Sequence, residues 1–339
     1  MARSPAGPGA ALMKVLLTGA TGFVGSHMAE LLVAQGWDVV CAVRAESGLR
    51  HLEGACVQLI TLDNLEHWVL HNDPVDYVIH IAAATRARNY EGYRKANVEL
   101  TRGLLERLAE PRLASALKRF VLVSSQGAAG PSPDGRTPVT ESDAPHPVSL
   151  YGRSKLEAEH VALGYAERLP VTVVRPSTVF GPRDTDVLGL FRAARFGLAP
   201  CLSGPPRLVS IIYVQDLIRG ILAAATSDKS LGQTYFLANP EPIVWKEFSL
   251  QVCRIMGRRG IVLPLPLPLM RIVAAMGDRF SKYTGFIPLF RTEKLEEMRQ
   301  IAWVCSVDKA RDDLGWRAGT PIPEAVRTTA EWYRAHSWI

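Results

Sequence analysis

The sequence predicts an α/β fold, in which a doubly wound parallel sheet is accompanied by a smaller C-terminal region that shapes a pocket. Short apolar runs alternate with helical stretches through the first 180 residues. The runs are apolar throughout, which is typical of parallel strands that are covered on both faces. After residue 181 the pattern becomes less regular and richer in proline. These observations separate a regular N-terminal part from a less regular C-terminal one.

The elements follow in the order expected of repeated strand–helix–strand units. Strands are predicted at 14–19, 38–44, 57–63, 75–83, 119–125 and 171–177, and helices at 24–36, 95–110 and 149–169. The start of the chain, residues 1–12, is predicted to be a flexible extension. Residues 13–180 then form the sheet domain, to which 212–240 return, while 181–211 and 241–339 form the smaller region.

Composition excludes several classes of protein. The chain has 339 residues, is 47% hydrophobic and carries a net charge of +6 without a long Lys/Arg block, so we expect no nucleic-acid partner. Its five cysteines lack C-x-x-C spacing, which favours reduced thiols in a cytoplasmic protein. The N-terminal stretch "MARSPAGPGAALM" does not resemble a signal peptide.

The longest apolar stretch, 261–277, is interrupted by three prolines and one arginine. It is therefore not expected to be an integral membrane segment. The favoured interpretation is a buried or pocket-lining segment, and the alternative is contact with a membrane surface.

A glycine-rich loop joins the first predicted strand to the first predicted helix. In "VLLTGATGFVGSH" (15–27), Gly19 would allow a tight turn, Gly22 would admit a pyrophosphate to the backbone, and Gly25 would let helix pack on strand. The free N–H groups of the helix start would face the phosphates. The spacing G-x-x-G-x-x-G predicts a dinucleotide site, and the alternative is a purely structural turn.

The end of the second strand bears on the choice of dinucleotide. The usual acidic position holds Val43, and Arg44 follows it. Arg44 and Ser47 could hold a 2′-phosphate, which favours NADP over NAD, although Arg44 could instead lie over the adenine ring. Asp63 and Asn64, after the third strand, are placed to meet the adenine edge, or Asp63 caps a helix.

A third motif, "YGRSK" (151–155), places Tyr151 and Lys155 four residues apart on one face of a helix. In isolation this pattern also fits a surface turn. Ser125 ends the strand "RFVLVSS", at the edge where open α/β sheets bind ligands. Together these residues predict a site for general acid/base catalysis.

The chain resembles the extended short-chain dehydrogenase/reductase family, also called the NAD-dependent epimerase/dehydratase family. The resemblance rests on matching segments in family order: "TGATGFVGSH" (18–27), "DYVIHIAAAT" (76–85), "NVELT" (97–101), "VLVSSQGAAG" (121–130), "YGRSK" (151–155), "RPSTVFGP" (175–182) and "IYVQDL" (212–217). It implies a Rossmann-type domain with a smaller C-terminal substrate-binding region. It also implies a nicotinamide cofactor and a homodimer.

The resemblance implies a role for each matched residue. Tyr151 would be the acid/base, Lys155 its partner, and Ser125 the hydroxyl that orients the substrate oxygen, with Ser124 as the alternative. The implied cofactor contacts are the loop residues Gly19, Thr21, Gly22, Phe23, Val24 and Gly25, then Ala82, Ala83 and Ala84 at the ribose, and Pro176 and Val179 around the nicotinamide. Tyr151 and Lys155 would also contact the cofactor, and Lys155 can hydrogen-bond its ribose. Asn97 would be a structural hydrogen-bonding group. The ammonium of Lys155 and an oxidised nicotinamide ring are expected to lower the pKa of Tyr151 towards neutrality.

Departures from the family pattern disfavour some of the activities that the family includes. "QGAAG" (126–130) lacks the Asp-Glu pair of the dehydratases. Ser177 and Thr178 stand where nucleotide-sugar members usually have an asparagine, and Val209 stands where they tend to have an arginine, although Arg207 is near. The apolar segments 261–277 and 283–290 suit a lipophilic substrate.

The pattern is closest to the hydroxysteroid dehydrogenase and dihydroflavonol reductase branch. We therefore expect an NAD(P)-dependent oxidoreductase that interconverts a secondary alcohol and a ketone, with no metal. The alternatives are a nucleotide-sugar epimerase with retained NAD, and a non-catalytic scaffold that binds the cofactor.

Overall fold

A computed structural model describes residues 12–65, 67–68, 74–284, 287–288 and 290–339. Its strands are β1 (Lys14–Thr18), β2 (Asp38–Val43), β3 (Gln58–Thr61), β4 (Tyr77–His80), β5 (Arg119–Val123), β6 (Val171–Pro176), β7 (Thr178–Phe180), β8 (Leu198–Leu202), β9 (Leu208–Val209), β10 (Ile211–Tyr213), β11 (Thr234–Leu237), β12 (Ile243–Val244), β13 (Ile261–Leu265) and β14 (Ala302–Trp303). The predicted extension, except for Leu12, lies outside the described residues.

The α-helices span Phe23–Ala34, Tyr90–Tyr93, Leu100–Leu108, Pro111–Ala114, Gln126–Ala129, Leu150–Leu163, Leu188–Ala194, Val214–Thr226, Trp245–Ile255, Leu267–Thr284, Thr292–Arg299, Asp308–Leu314 and Ile322–Ala335. A π-helical turn, Arg94–Glu99, joins the second to the third of these helices. Short 3₁₀ helices lie at Leu62–Asn64 and Asp228–Ser230.

The central sheet has seven strands in the order β3-β2-β1-β4-β5-β6-β11. Every neighbouring pair in it is parallel. Consecutive side chains of a strand point to opposite faces, so Val15 and Leu17 join one apolar cluster and Leu16 joins the other. Helices cover both clusters, which confirms the predicted α/β fold.

The predicted elements are present, with ends that differ by a few residues. The fourth strand ends at His80, three residues early, because the chain leaves the sheet once the Ile81 amide has bonded to the Thr18 carbonyl at 3.3 Å. The helix predicted at 95–110 instead begins at Tyr90 and passes through the π-helical turn.

The C-terminal part adds three small sheets, β7 with β10, β8 with β13, and β9 between β12 and β14. Strand β11 returns to the central sheet beside β6. The predicted division into two regions at residue 180 stays a prediction. None of the helices in the described ranges combines the length and the apolar character needed to cross a bilayer.

The first of the two favoured interpretations of 261–277, a buried segment, is wrong, and the second, a pocket-lining segment, stays a prediction. Strand β13 pairs with β8 through its backbone, but Ile261 is 69% exposed. In the helix Leu267–Thr284 that follows, the buried residues are Ala274 and Ser281. Only a narrow face of this helix packs on the protein, so its apolar residues lie largely outside the core. The second apolar segment, 283–290, lies partly outside the described residues.

Candidate active site

The predicted site residues gather at one edge of the central sheet, because parallel strands all end there. Gly19 follows β1 at the middle of the sheet, and Ala82 follows its neighbour β4. The strand order reverses between these two strands, and open α/β sheets bind ligands at such a point. Arg44 and Asp63 follow strands on one side of the reversal, and Ser125 follows β5 on the other.

The glycine loop is packed too tightly for side chains. Gly19 has a φ of +77°, which favours glycine, and an added Cβ would lie 2.7 Å from the Ala82 nitrogen. A Cβ on Gly25 would lie 2.0 Å from the Gly19 carbonyl oxygen. The predicted roles of Gly19 in the turn and Gly25 in helix packing therefore have a direct steric basis.

The helix after this loop begins without a side-chain cap. Gly22 is its N-cap, and no acidic residue lies in the first turn. Phe23 and Val24, the first two helical residues, are partly buried against the core. The amides of this first turn have no partner within the helix, so they are suited to a pyrophosphate. Thr21 lies in the loop just before them and is partly buried.

A chain of hydrogen bonds holds the loop after β4. The Ala82 amide donates to the Thr18 hydroxyl at 3.1 Å, and Thr18 lies 2.7 Å from His80 Nδ1. His80 Nε2 lies 3.0 Å from the Thr101 hydroxyl, which donates to the Asn97 carbonyl. Burial, together with the nearby charge of Lys155, lowers the pKa of His80 to about 3. The histidine is therefore neutral. Because the Thr101 hydroxyl donates elsewhere, it accepts from His80, whose proton is on Nε2. The ring holds Thr18 and Thr101 in fixed positions.

Asn97 fastens the same loop to the helix that carries Tyr151. Its side chain accepts from the Ala84 amide at 2.7 Å, and it donates to the Ala84 carbonyl and to Ser154 Oγ. Ser154 in turn donates to the Tyr151 carbonyl at 2.7 Å. Ala82, Ala83 and Ala84 are thus held in place between Thr18 and Asn97.

The residues predicted to contact the adenosine lie on exposed loops. Arg44 and Ser47 share one turn, since the Ser47 amide donates to the Arg44 carbonyl at 3.0 Å. The Arg44 side chain is 70% exposed and makes a loose contact of 3.8 Å with Glu46. Asp63 and Asn64 are exposed in the 3₁₀ helix after β3. Asp63 lies inside that helix, so it is not its N-cap.

Ser125 is fixed beside Tyr151 by two glycines. Ser125 caps the helix Gln126–Ala129, where its hydroxyl accepts from the Gly127 amide at 3.0 Å. A Cβ on Gly152 would lie 2.3 Å from the Gly127 carbonyl oxygen. Since both positions are glycine, the two helices approach closely, and the Ser125 Oγ and the Tyr151 ring lie 3.3 and 3.8 Å from a Cβ added at Gly127.

Ser124, the alternative to Ser125, is engaged elsewhere. It is buried, and its hydroxyl donates to the Glu159 carboxylate. Glu159 is also paired with Arg175, whose Nη2 lies 2.7 Å away. The Ser124 hydroxyl is therefore bound to the carboxylate of a buried Glu159–Arg175 ion pair. This leaves Ser125 as the hydroxyl beside Tyr151.

The electrostatics around Tyr151 differ from the sequence-based expectation. Burial raises the pKa of Tyr151; the Ser125 hydrogen bond lowers it, and the carboxylates of Glu297 and Asp186 raise it again. Lys155 is not among the charges that shift the pKa of Tyr151, and its Nζ donates to the Val123 carbonyl at 2.7 Å. The fall in the pKa of Tyr151 that was expected from Lys155 is therefore wrong for this structure, because burial raises that pKa. The fall expected from an oxidised nicotinamide stays a prediction.

Lys155 itself is buried, with 2% of its surface exposed. Burial lowers its pKa to about 8, and the carboxylate of Glu159 offsets part of that fall. An ammonium in such a place is costly unless it has further acceptors.

The region around Pro176 contains buried polar atoms without a partner among the described residues. Pro176 is buried at the end of β6, and Val179 is partly buried in β7. Between them, Ser177 Oγ has no hydrogen-bond partner, and neither does Gln126 Nε2 beside Ser125. Such groups are costly unless a ligand supplies a partner. A nicotinamide with its carboxamide fits this lining, as a pyrophosphate fits the glycine loop.

Glu293 is a site residue that the sequence did not reveal. Its Oε1 accepts from the Tyr151 amide at 2.9 Å, and its Oε2 accepts from the Tyr93 hydroxyl at 3.1 Å. The carboxylate thus binds the positive start of the helix Leu150–Leu163. Glu293 lies 142 residues from Tyr151 in the chain, in a stretch with the composition of an ordinary exposed helix. No local signal marks it.

The close packing of the two glycines leads to a first prediction. Gly152→Ala is expected to force the two helices apart and to move Tyr151 from Ser125, lowering kcat/KM by on the order of 100-fold. The overpacked side chain should also cost about 1–3 kcal/mol of stability. Steady-state kinetics and urea denaturation measure both effects.

Gly103→Ala is the matched control, because it also adds a methyl group to a helical glycine, but with nothing within 4 Å of the new Cβ. We expect unchanged activity and a gain of up to about 1 kcal/mol. If Gly152→Ala and Gly103→Ala have the same kcat/KM and the same stability to urea, the Gly127–Gly152 contact does not position Tyr151.

Among the described residues, no cluster of three or more His, Cys, Asp or Glu side chains could hold a metal ion. The expectation of no metal stays a prediction.

Comparisons with known proteins agree with this geometry. The family model "NAD dependent epimerase/dehydratase family" matches residues 15–238. The ceramide reductase of Caulobacter vibrioides is 29% identical over 329 residues, covering 96% of this chain and 96% of the relative. The 4-hydroxy-2-methyl-3-oxo-4-farnesyl-3,4-dihydroquinoline-1-oxide ketoreductase of Stigmatella aurantiaca is 28% identical, covering 90% of this chain and 92% of the relative.

A solved structure supports the fold. The UDP-glucose 4-epimerase of Thermotoga maritima, with UDP-glucose, aligns with a TM-score of 0.78 at 21% identity, covering 96% of this chain and 100% of the other. The family model covers the glycine loop, Ser125, Tyr151 and Lys155 in one alignment. The chain therefore belongs to the NAD-dependent epimerase/dehydratase family and is an extended short-chain dehydrogenase/reductase that uses NAD(P).

Proposed function

We propose that this protein is an NADP-preferring reductase that converts a ketone on a lipophilic substrate to a secondary alcohol. The observation that carries the proposal is the placement of Ser125 beside Tyr151, since the Ser125 Oγ and the Tyr151 ring lie 3.3 and 3.8 Å from a Cβ added at Gly127. A phenol that stays protonated near neutral pH can donate a proton to a carbonyl oxygen that gains negative charge. The oxidation of an alcohol would instead need the phenolate.

In the proposed reaction, the Ser125 hydroxyl donates to the carbonyl oxygen and stabilises the negative charge that develops there. The glycine loop would hold a reduced dinucleotide, which would supply the hydride for the carbonyl carbon. Tyr151 gives its proton to the same oxygen, which completes the alcohol. Lys155 holds a proton one helical turn away, so it can assist the return of a proton to Tyr151. Solvent is the final proton source.

The environment of Arg207 supports a substrate without a nucleotide. Arg207 is the residue that could replace the missing phosphate-binding arginine at Val209. Its Nε donates to the Met298 carbonyl and its Nη1 to the Leu202 carbonyl, each at 2.9 Å. A guanidinium occupied by backbone carbonyls has few donors left for a diphosphate.

The names of the two relatives also support a lipophilic substrate. A ceramide reductase and a farnesyl-quinoline ketoreductase both act on molecules with long hydrocarbon chains. Both align over at least 90% of this chain.

The proposal is tested with a substrate panel. Purified protein is incubated with NADPH or NADH and with ketones on steroid, farnesyl-quinoline and ceramide skeletons, while nicotinamide absorbance is followed. Turnover of one of these ketones supports the reductase. Conversion of UDP-glucose to UDP-galactose with a retained NAD, and no turnover of the ketones, would establish the epimerase alternative.

The preference for NADP is tested at Arg44. Arg44→Ala is expected to weaken NADPH binding on the order of tenfold, because a charge-assisted bond to the 2′-phosphate is lost. NADH binding should not change. Nicotinamide fluorescence titrations measure both affinities.

Arg102→Ala is the control, since Arg102 lies on the helix Leu100–Leu108 and, like Arg44, makes only a loose contact with a glutamate, at 4.0 Å from Glu99. It should leave both affinities unchanged. If Arg44→Ala weakens NADPH and NADH equally, Arg44 lies over the adenine ring and does not read the phosphate.

A further inference from the structure

The helix Leu267–Thr284 has an apolar outer face, which consists of Leu269, Ile272, Val273, Met276 and Tyr283. Each of these side chains is between 43% and 76% exposed. Their spacing of three, four and seven residues places them on one side of the helix. Exposed apolar residues that are scattered singly are normal, but a continuous stripe of this kind indicates an interaction surface.

The opposite side of this helix holds it to the protein. Ala274 is fully buried and lies in an apolar cluster with Leu202 and Leu295. Strand β13 adds two exposed apolar side chains, Ile261 at 69% and Leu263 at 39%, before Leu265 packs against that cluster. The outer face therefore points away from the core on a firmly anchored helix.

Cations lie along one flank of the outer face. Arg271, Arg279 and Lys282 are all exposed, and their spacing places them together on one side of the apolar stripe. The guanidinium of Arg279 lies 5.5 Å from the centre of the Tyr283 ring. Asp278, the acidic residue of this helix, is paired with Arg291 at 2.7 Å. The flank of the stripe is therefore positively charged.

We propose that the outer face docks on the surface of an anionic lipid bilayer. An apolar stripe beside a row of cations is the pattern of a helix that lies in the membrane interface: the apolar side chains enter the headgroup boundary and the cations meet lipid phosphates. The net charge of +6 favours the same partner. A protein partner would need acidic groups that match this row, whereas a bilayer presents them everywhere.

The docking helix is tied directly to the active site. Asp278 accepts from the Thr292 amide at 3.2 Å, and the next residue, Glu293, accepts from the Tyr151 amide at 2.9 Å. A docked molecule would thus hold the candidate active site close to the lipid surface. The value of that placement for a lipophilic substrate rests on the proposed function, but the docking itself does not.

The test is flotation of the purified full chain with vesicles. One set is phosphatidylcholine alone, and the other is equal parts phosphatidylcholine and phosphatidylglycerol. We expect binding to the second set, which Ile272→Glu/Met276→Glu lowers at least about tenfold. Arg271→Glu/Arg279→Glu/Lys282→Glu should lower it as well, by roughly fivefold for each cation removed.

Leu231→Glu is the matched control, because Leu231 is 50% exposed on a loop before β11. It should bind vesicles like the natural chain, and nicotinamide binding by all variants shows that they fold. The proposal is overturned if the natural chain ignores anionic vesicles or if Ile272→Glu/Met276→Glu binds them unchanged. It is also overturned if that double variant only dissociates a dimer in sedimentation, which would make the face a contact between two copies. None of these measurements depends on substrate turnover, so they can fail separately from the proposed function.

Discussion

Replacing Tyr151 with phenylalanine is expected to lower kcat on the order of 10³-fold with the ketone identified by the substrate panel. The variant lacks the phenolic proton that the carbonyl oxygen needs. It keeps the aromatic ring at position 151, whose centre lies 6.1 Å from the centre of the Tyr93 ring. Nicotinamide binding should stay within about twofold, because the glycine loop is untouched. Single-turnover kinetics and fluorescence titration separate the two quantities.

Tyr90→Phe provides the control for this experiment. Tyr90 is a second partly buried tyrosine near the same helix, and its hydroxyl donates to Glu157, so its loss should leave kcat unchanged. Full activity of the Tyr151 variant would remove Tyr151 from the mechanism and would favour another proton donor.

Lys155→Met is expected to give the second largest effect, a loss of activity on the order of 100-fold or more together with a distinctive change in stability. In the folded chain the pKa of Lys155 is lowered from 10.5 to about 8 by burial. The ammonium therefore costs roughly 3 kcal/mol of stability at pH 7, at about 1.4 kcal/mol for each pH unit.

The direction in which pH changes the stability depends on whether the folded or the unfolded chain releases the Lys155 proton first. Below pH 8 both the folded and the unfolded chain are protonated, and the cost is fully present. Between pH 8 and 10.5 the folded chain has released its proton and the unfolded chain has not, so folding becomes more favourable as pH rises. Urea denaturation should thus show the natural chain gaining up to about 3 kcal/mol relative to Lys155→Met over this range. Parallel pH profiles of the two proteins would contradict a buried, destabilised ammonium.

The cofactor half of the site was largely predictable because its determinants are local. Gly19, Gly22 and Gly25 lie within seven residues of one another, between a strand and a helix that their own patterns indicate. A parallel sheet then brings the ends of distant strands to one edge, so Arg44 and Ser125 could be placed there from their positions at strand ends, whereas the placement of Ala82 rested on the family resemblance.

For the candidate catalytic residues, the sequence predicted which residues belong to the site but not their environment. The motif Tyr151-x-x-x-Lys155 indicated which residues share a helix face, but not what surrounds them. The direction of the pKa of Tyr151 depends on burial and on Glu297 and Asp186, which come from other elements. Glu293 was missed for the same reason, because a carboxylate becomes part of a site through its tertiary neighbours.

The sequence by itself determined the family, the parallel sheet, the glycine loop and the candidate catalytic residues, because each follows from residue types at short, fixed spacings. The tertiary structure decided the protonated state of Tyr151, the burial of Lys155, the occupation of Arg207 by backbone carbonyls and the exposure of the helix Leu267–Thr284. These properties depend on which groups water can reach and which charges lie nearby. Both are set by packing between elements that are remote in the chain.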